Sequence, residues 1–242
     1  AAADLKSKYA GQLILWKCNL LNLSEIDSIH SVLSENKIMQ IDVLVNNAGI
    51  ASPAPIQYQD FSEIQNIMTT NVLAVMRLTQ IMISYLVPTK GRIINISSIS
   101  GIGGTPFLGI YCASKHAIEG FSESLRREMN IYDIKVSVIG PGSIKTPIWS
   151  KGFETIRTRF DKTIYRESFH RFIDFAKYEE ENALPVSAVV ENIMNAATSS
   201  CPKIRYAPVP RKLSSVYLPW ILPKSIVDYM TCKALGLRIK KD

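Results

Sequence analysis

Residues 92–115 read RIINISSISGIGGTPFLGIYCASK. The run Arg92 to Ile96 is short, apolar and β-branched, as a buried strand requires, and it stops at Ser97-Ser98. A glycine-rich connection, Gly101-Ile102-Gly103-Gly104, then leads into a helical pattern over residues 111–130. The same switch from strand to helix occurs upstream: Leu13 to Trp16 precedes a helix over 24–36, and Asp42 to Val45 precedes one over 60–86. Downstream, Val136 to Ile139 forms the next apolar run. Strands alternating with helices predict an α/β fold, a Rossmann-like doubly wound parallel sheet with flanking helices. Polar and glycine clusters fall just past the strand ends: Cys18-Asn19, Asn46-Asn47-Ala48-Gly49, Ser97-Ser98 and Gly140-Pro141-Gly142. In an open parallel sheet, that carboxyl edge is where ligands bind.

After residue 140 the rhythm changes to an aromatic and basic stretch: Trp149, Phe153, Phe160, Tyr165, Phe169, Phe172 and Phe175. A helix from about Ser187 to Thr198, a strand over Arg205 to Val209 and a Pro-rich tail follow. Residues 1–242 read as a single domain without repeats, 47% hydrophobic and 20% charged, enough for one core. The four cysteines, Cys18, Cys112, Cys201 and Cys232, form no C-x-x-C pair, so neither a metal site nor a disulfide framework is expected, and an intracellular, reducing compartment fits best. The net charge of +7 is scattered, thickening at Arg157 to Lys177 and at Arg238, Lys240 and Lys241. A solvated surface explains it; an anionic membrane surface or a phosphorylated cofactor are the alternatives, and no nucleic acid partner is expected. No apolar run reaches the ~18 residues of a bilayer span, because Tyr217 to Met230 is interrupted by Pro219, Pro223, Lys224 and Asp228.

Tyr111 and Lys115 lie one helical turn apart, on a helix whose apolar stripe reads Ala113, Ala117, Phe121, Leu125 and Met129. A lysine ammonium beside a phenol favours phenolate, lowering its pKa and making an acid/base that works nearer neutral pH. Such a pair alone is common on helix surfaces. Ser98, at a strand end just upstream, adds a hydroxyl able to hydrogen-bond a substrate oxygen, although strand termination alone explains a serine there. On the 60–86 helix, Ile64, Met68, Asn71, Val75, Leu78, Met82 and Tyr85 make one inward stripe in which Asn71 is the only amide. An unpaired buried amide costs roughly 1–3 kcal/mol. Asn71 therefore needs a partner: a structural backbone group, or an ordered water in a proton path. Pro141-Gly142 and Thr146-Pro147 place flexible and then rigid backbone at the sheet edge, where a carboxamide could be held or an ordinary loop could run.

Together these segments resemble the short-chain dehydrogenase/reductase family: Asn46-Asn47-Ala48-Gly49, Asn71, the strand-end Asn95-Ile96-Ser97-Ser98, Tyr111-Cys112-Ala113-Ser114-Lys115, and Pro141-Gly142 with Thr146. The stretches Thr105 to Tyr111 and Thr146 to Trp149 look like the branch with retinol and hydroxysteroid dehydrogenase-like members. The resemblance implies an NAD- or NADP-dependent oxidoreductase acting on an apolar alcohol or ketone. In it Tyr111 is the general acid/base, and Lys115 lowers its pKa and contacts the nicotinamide ribose. Ser98 orients the substrate carbonyl, and Asn71 holds a proton-relaying water. It further implies that Asn46, Ala48 and Gly49 lie near the adenosine, that Pro141, Gly142 and Ile144 lie near the nicotinamide, and that Thr146 binds its carboxamide. Residues 144–185 become the substrate-lid region, with the aromatics of Trp149 to Tyr178 suited to a bulky apolar substrate. Pairing through helices 60–86 and 111–130 into a homodimer or tetramer is implied as well.

Two departures from the family pattern stand out. The family opens with a strand, a glycine-rich turn and a helix that receives the pyrophosphate, and nothing here matches that unit. The chain is accordingly expected to lack the first βαβ portion, as a fragment of a complete enzyme or a natural short form. The residue that reads the ribose 2′ position belongs to that portion, so NAD and NADP both stay open. Asn19 stands where the family has an adenine-binding aspartate; its carbonyl oxygen can still accept. The competing reading is a catalytically silent binding or scaffolding protein without a dinucleotide site, and cofactor binding separates the two. A further reading lays the C-terminal segment 205–242, with Tyr217, Trp220, Ile221 and Leu222, on a membrane surface; packing on the domain or on a subunit is the alternative.

Overall fold

The computed structural model describes residues 13–146, 153–210 and 221–237, with Leu5 and Lys8 as further helical positions. In chain order the elements are α1 (Leu23–Asp27), α2 (Ile29–Glu35), β1 (Val43–Asn46), α3 (Phe61–Leu86), β2 (Arg92–Ile96), α4 (Gly109–Glu128), β3 (Lys135–Ile139), α5 (Phe153–Thr158), α6 (Arg166–Glu181), α7 (Val186–Thr198), β4 (Arg205–Tyr206) and α8 (Lys224–Leu235). The strands form one parallel sheet in the order β1-β2-β3-β4, with Val45 opposite Ile94 and Ile94 opposite Ser137.

Strand β2 shows why the sheet is covered on both faces. Its neighbours Ile93 and Ile94 point to opposite sides, and both are fully buried. Ile93 joins Ile26, Leu33, Leu86, Leu125 and Val136 under α1, α2, α3 and α4. Ile94 joins Ile139, Ala196 and Tyr206 under α7. A third cluster, separate from the sheet, gathers Phe107, Phe160, Phe169 and Phe172.

Several sequence expectations need correction. Leu13 to Trp16 is not a strand. A strand exists only through a ladder partner, and among the described residues none pairs with this segment; Ile14 and Leu15 are exposed. The last strand stops at Tyr206 instead of Val209. The buried face of α4 is Cys112, Ser114, Lys115, Ile118, Ser122 and Leu125, and Ala113 is exposed. The polar members of that face are held by hydrogen bonds, so a search for apolar residues alone finds Leu125 and Met129 but misses Ser114, Lys115 and Ser122. Helix α3 is long and apolar enough to cross a membrane by length and composition, against the expectation of no such run. Half of its most apolar window is buried within the fold, so core packing accounts for the composition. Pro147, Trp149, Tyr217, Trp220, Arg238, Lys240, Lys241 and the Phe153 side chain lie outside the described residues.

Two devices fix the helices relative to the sheet. The first is a π-helical turn at Thr69–Leu73 within α3, which buries three successive residues, Thr70, Asn71 and Val72. The second is a buried hydrogen-bond chain. Thr79 Oγ1 and Asn95 Oδ1 accept from Asn46 Nδ2 at 3.0 and 2.7 Å, and Asn95 Nδ2 donates to Ser122 Oγ at 2.8 Å. The chain ties α3, β1, β2 and α4 together at one level of the sheet.

Candidate active site

The ends of β1, β2 and β3 open into a cavity of about 570 Å³ lined by Ala48, Gly49, Ser98, Tyr111, Lys115, Pro141, Gly142, Ile144 and Thr146, among others. Local structure explains how each side chain gets there. Ser98 ends the extended segment of β2 and caps the 3-10 turn Ile99–Gly101, its Oγ accepting from the Ser100 amide at 3.1 Å. Tyr111 and Lys115 occupy the first turns of α4, one turn apart on its sheet-facing side. The Ile99 amide donates to the Pro141 carbonyl at 2.9 Å, joining the Ser98 turn to the loop after β3. That loop is pinned on its other side by a parallel bridge between Ile144 and Leu184.

Lys115 is only 4% exposed, and its Nζ donates to the Ile96 carbonyl at 2.9 Å. It also lies 5.7 Å from the centre of the Tyr111 ring. Burial brings its pKa down from 10.5 to about 8, with the Glu119 carboxylate opposing. Burial pushes the Tyr111 phenol up, while its hydrogen bond with Ser98 pulls it down. Desolvation leads the causes of the Tyr111 shift, and the Lys115 ammonium is directed at the Ile96 carbonyl. A phenol held protonated is a proton donor.

Asn71 does not reach the cavity wall. Its Oδ1 accepts from the Ile50 amide at 2.8 Å, and its Nδ2 donates to the Ile50 carbonyl at 2.9 Å and to Ser114 Oγ at 3.0 Å. The backbone group foreseen as its partner is that of Ile50. Ser114 Oγ in turn donates to the Tyr111 carbonyl at 2.7 Å, so Asn71 braces the start of α4 against the loop after β1. Asn46 is also a bracing residue, buried in the chain to Thr79 and Asn95 instead of lining this cavity. Asn19 is apart from it: its backbone N–H donates to Glu25 and its Oδ1 accepts from Leu21. The sequence missed Val186 and Val189, which line the cavity from α7 beside Ser97 and Ser143. Only the docking of α7 on the sheet reveals the first two.

Phe160, Phe169 and Phe172 are not among the residues lining the cavity; Phe107 meets Phe169 and Phe172 at ring separations of 5.3 and 5.6 Å, Phe169 meets Phe160 and Phe172 at 4.9 and 5.8 Å, and all four are buried. Phe107 holds this cluster from a left-handed backbone, φ 67°. Phe160, Phe169 and Phe172, with Tyr165 against them, thus serve a satellite core under α6, while Phe175 and Tyr178 are exposed.

Polar atoms in the cavity suit a nicotinamide and its ribose. Ser97 Oγ is buried and lacks a hydrogen-bond partner among the described residues. Gly49 borders the lysine: a Cβ there would stand 3.4 Å from Lys115 Nζ, in ordinary contact. Among the described residues no cluster of metal-ligating side chains is present.

Residues 1–157 match the family model described as short chain dehydrogenase. The chain is 35% identical over 215 residues to an NADPH-dependent 3-dehydrocapnine reductase of Ornithobacterium rhinotracheale, covering 87% of this chain and 75% of the relative. It is 34% identical to human retinol dehydrogenase 16 over 198 residues, 76% of this chain and 62% of that enzyme. A short-chain dehydrogenase from Streptomyces avermitilis superposes with a TM-score of 0.74 at 20% identity, over 99% of this chain and 85% of that one.

Proposed function

The chain belongs to the short-chain dehydrogenase family, and we propose that it transfers a hydride between NAD or NADP and an apolar ketone or alcohol, with Tyr111 as the proton donor. The observation that carries this reading is the convergence of Ser98, Tyr111, Lys115 and the Pro141–Thr146 loop on one cavity at the carboxyl edge of the sheet. NAD or NADP, when bound, supplies or accepts the hydride. In the reductive direction the Tyr111 hydroxyl gives its proton to the carbonyl oxygen, and the Ser98 hydroxyl orients that oxygen. Lys115 holds a positive charge beside the phenol, favouring the phenolate left behind. Its place in the cavity wall lets the ammonium hydrogens not given to Ile96 contact a ribose, with Pro141, Gly142, Ile144 and Thr146 around the nicotinamide. Ala48 and Gly49 border the other side, toward the adenosine; the further assignment of Asn19 and Asn46 to that end rests on the family pattern alone. Ser114 and Asn71 keep the Tyr111 turn in place.

The relatives named for 3-dehydrocapnine and retinol support an apolar substrate, as do Val186, Val189 and Ile144 in the cavity wall. The test is a fluorescence titration of the chain with NADH and NADPH, followed by turnover assays on retinal, retinol and long-chain 3-ketones beside Tyr111→Phe. Binding with turnover that vanishes in the variant is expected. A folded chain that binds neither cofactor refutes the reading and leaves the silent scaffold.

The C-terminal segment favours a peripheral membrane contact, because Ile221, Ile226, Tyr229 and Met230 are exposed on or beside α8. Flotation with anionic liposomes, equal with and without residues 213–242, ends that idea.

A further inference from the structure

We propose that Glu119 and Arg205 form a clamp that positions Ser98 for the reaction, an inference that rests on the dehydrogenase reading above. Arg205 leaves β4 and lies across the end of the sheet. Its Nε donates to both carboxylate oxygens of Glu119 at 3.1 and 3.2 Å, and its Nη2 donates to Glu119 Oε1 at 3.1 Å. The same Nη2 donates to the Ser98 carbonyl at 3.3 Å. That carbonyl also accepts from the Gly101 amide at 3.0 Å, closing the turn that carries the Ser98 hydroxyl. One guanidinium fork thus joins the edge strand, the catalytic helix and the Ser98 turn.

Two glycines make room for the clamp. A Cβ on Gly140 would lie 2.1 Å from Arg205 Nη2, and a Cβ on Gly101 would lie 2.9 Å from Glu119 Cγ. The guanidinium therefore rests on the bare backbone that follows β3, and the carboxylate on the bare backbone of the Ser98 turn. Both charged side chains are largely shielded, at 24% and 18% exposure, so the pair is held in one geometry, unlike a surface ion pair. Glu119 is also one helical turn beyond Lys115, and its charge favours the lysine ammonium. A guanidinium suits this place because its planar fork can grip a carboxylate and a carbonyl at once, which a lysine ammonium cannot do in the same geometry.

The test compares the full chain with Glu119→Gln, Arg205→Lys, Arg205→Met and the double variant Glu119→Gln/Arg205→Met. Thermal unfolding, NADPH affinity, kcat and KM, and amide hydrogen exchange in the peptide containing Ser100 are measured for each. A displaced Ser98 predicts kcat down about ten- to a hundred-fold with cofactor affinity unchanged. Arg205→Lys, which keeps the charge, should remain folded and still lose kcat. The double variant should lose no more than Arg205→Met, because both changes open the same clamp. The Ser100 amide, which donates to Ser98 Oγ, should exchange faster in every variant. Folded variants with wild-type kcat, or a fall in melting temperature with kcat intact, reduce the pair to a structural tie and overturn the proposal. Should the wild-type chain bind no cofactor and turn over no substrate, the dehydrogenase reading fails. The exchange of Ser100 then judges the clamp alone: unchanged exchange overturns it, and faster exchange retains it as an ordering device for that turn.

Discussion

Replacing Lys115 with methionine should change how stability depends on pH. Lys115 is 4% exposed, and burial brings its pKa from 10.5 to about 8. The unfolded chain therefore binds more protons than the native one between those values, so wild-type stability rises with pH through that window. The lysine's contribution is fully recovered above 10.5 and is lost as pH falls through about 8. At neutral pH the buried ammonium costs about 3 kcal/mol. Lys115→Met removes that cost but also strips the Ile96 carbonyl of its 2.9 Å hydrogen bond, a loss of about 1–3 kcal/mol that does not depend on pH. The net effect at pH 7 is small. The informative quantity is the change in the difference: from pH 7 to pH 9 the wild type should gain about 1.4 kcal/mol on the variant. Urea unfolding of both proteins at the two pH values, without cofactor, measures it, and other titrating groups cancel in the difference. A difference constant to within about 0.3 kcal/mol refutes a depressed Lys115 and the burial argument behind it.

Other predictions follow from the same geometry. Because burial holds the Tyr111 phenol up, ketone reduction should be favoured near neutral pH while alcohol oxidation climbs into the alkaline range; pH profiles of kcat in both directions check this, and an oxidation rate flat with pH contradicts it. Asn71→Ala removes three hydrogen bonds that brace Ile50 and Ser114 and should cost roughly 1–3 kcal/mol by denaturant unfolding; an unchanged midpoint would show the brace to be idle. Phe169→Ala, in the satellite aromatic core, should lower stability by about 3–5 kcal/mol and leave KM for small ketones unaltered, whereas a lid role demands the opposite pattern.

The order of strands and helices was legible from Arg92–Ile96, Asp42–Val45 and Val136–Ile139, because buried parallel strands have to be short apolar runs and their crossover helices carry helical periodicity. Ser98, Tyr111, Lys115 and the Pro141–Thr146 loop were legible too, since the carboxyl edge of such a sheet collects whatever follows each strand. Three things were not. Ala113 read as part of the buried stripe of α4, yet Ser114, Lys115 and Ser122 take the inside, because hydrogen bonds to Asn71, Ile96 and Asn95 offset their burial. Phe160, Phe169 and Phe172 read as a substrate lining, but their rings found one another. Arg205 and Glu119 read as nothing at all, being 86 residues apart. Sequence by itself determined which residues follow each strand and so which stand at the site's edge. Whether a polar residue faces ligand, a partner side chain or another residue's backbone was decided only by tertiary structure, because those hydrogen bonds join groups that only packing brings within reach.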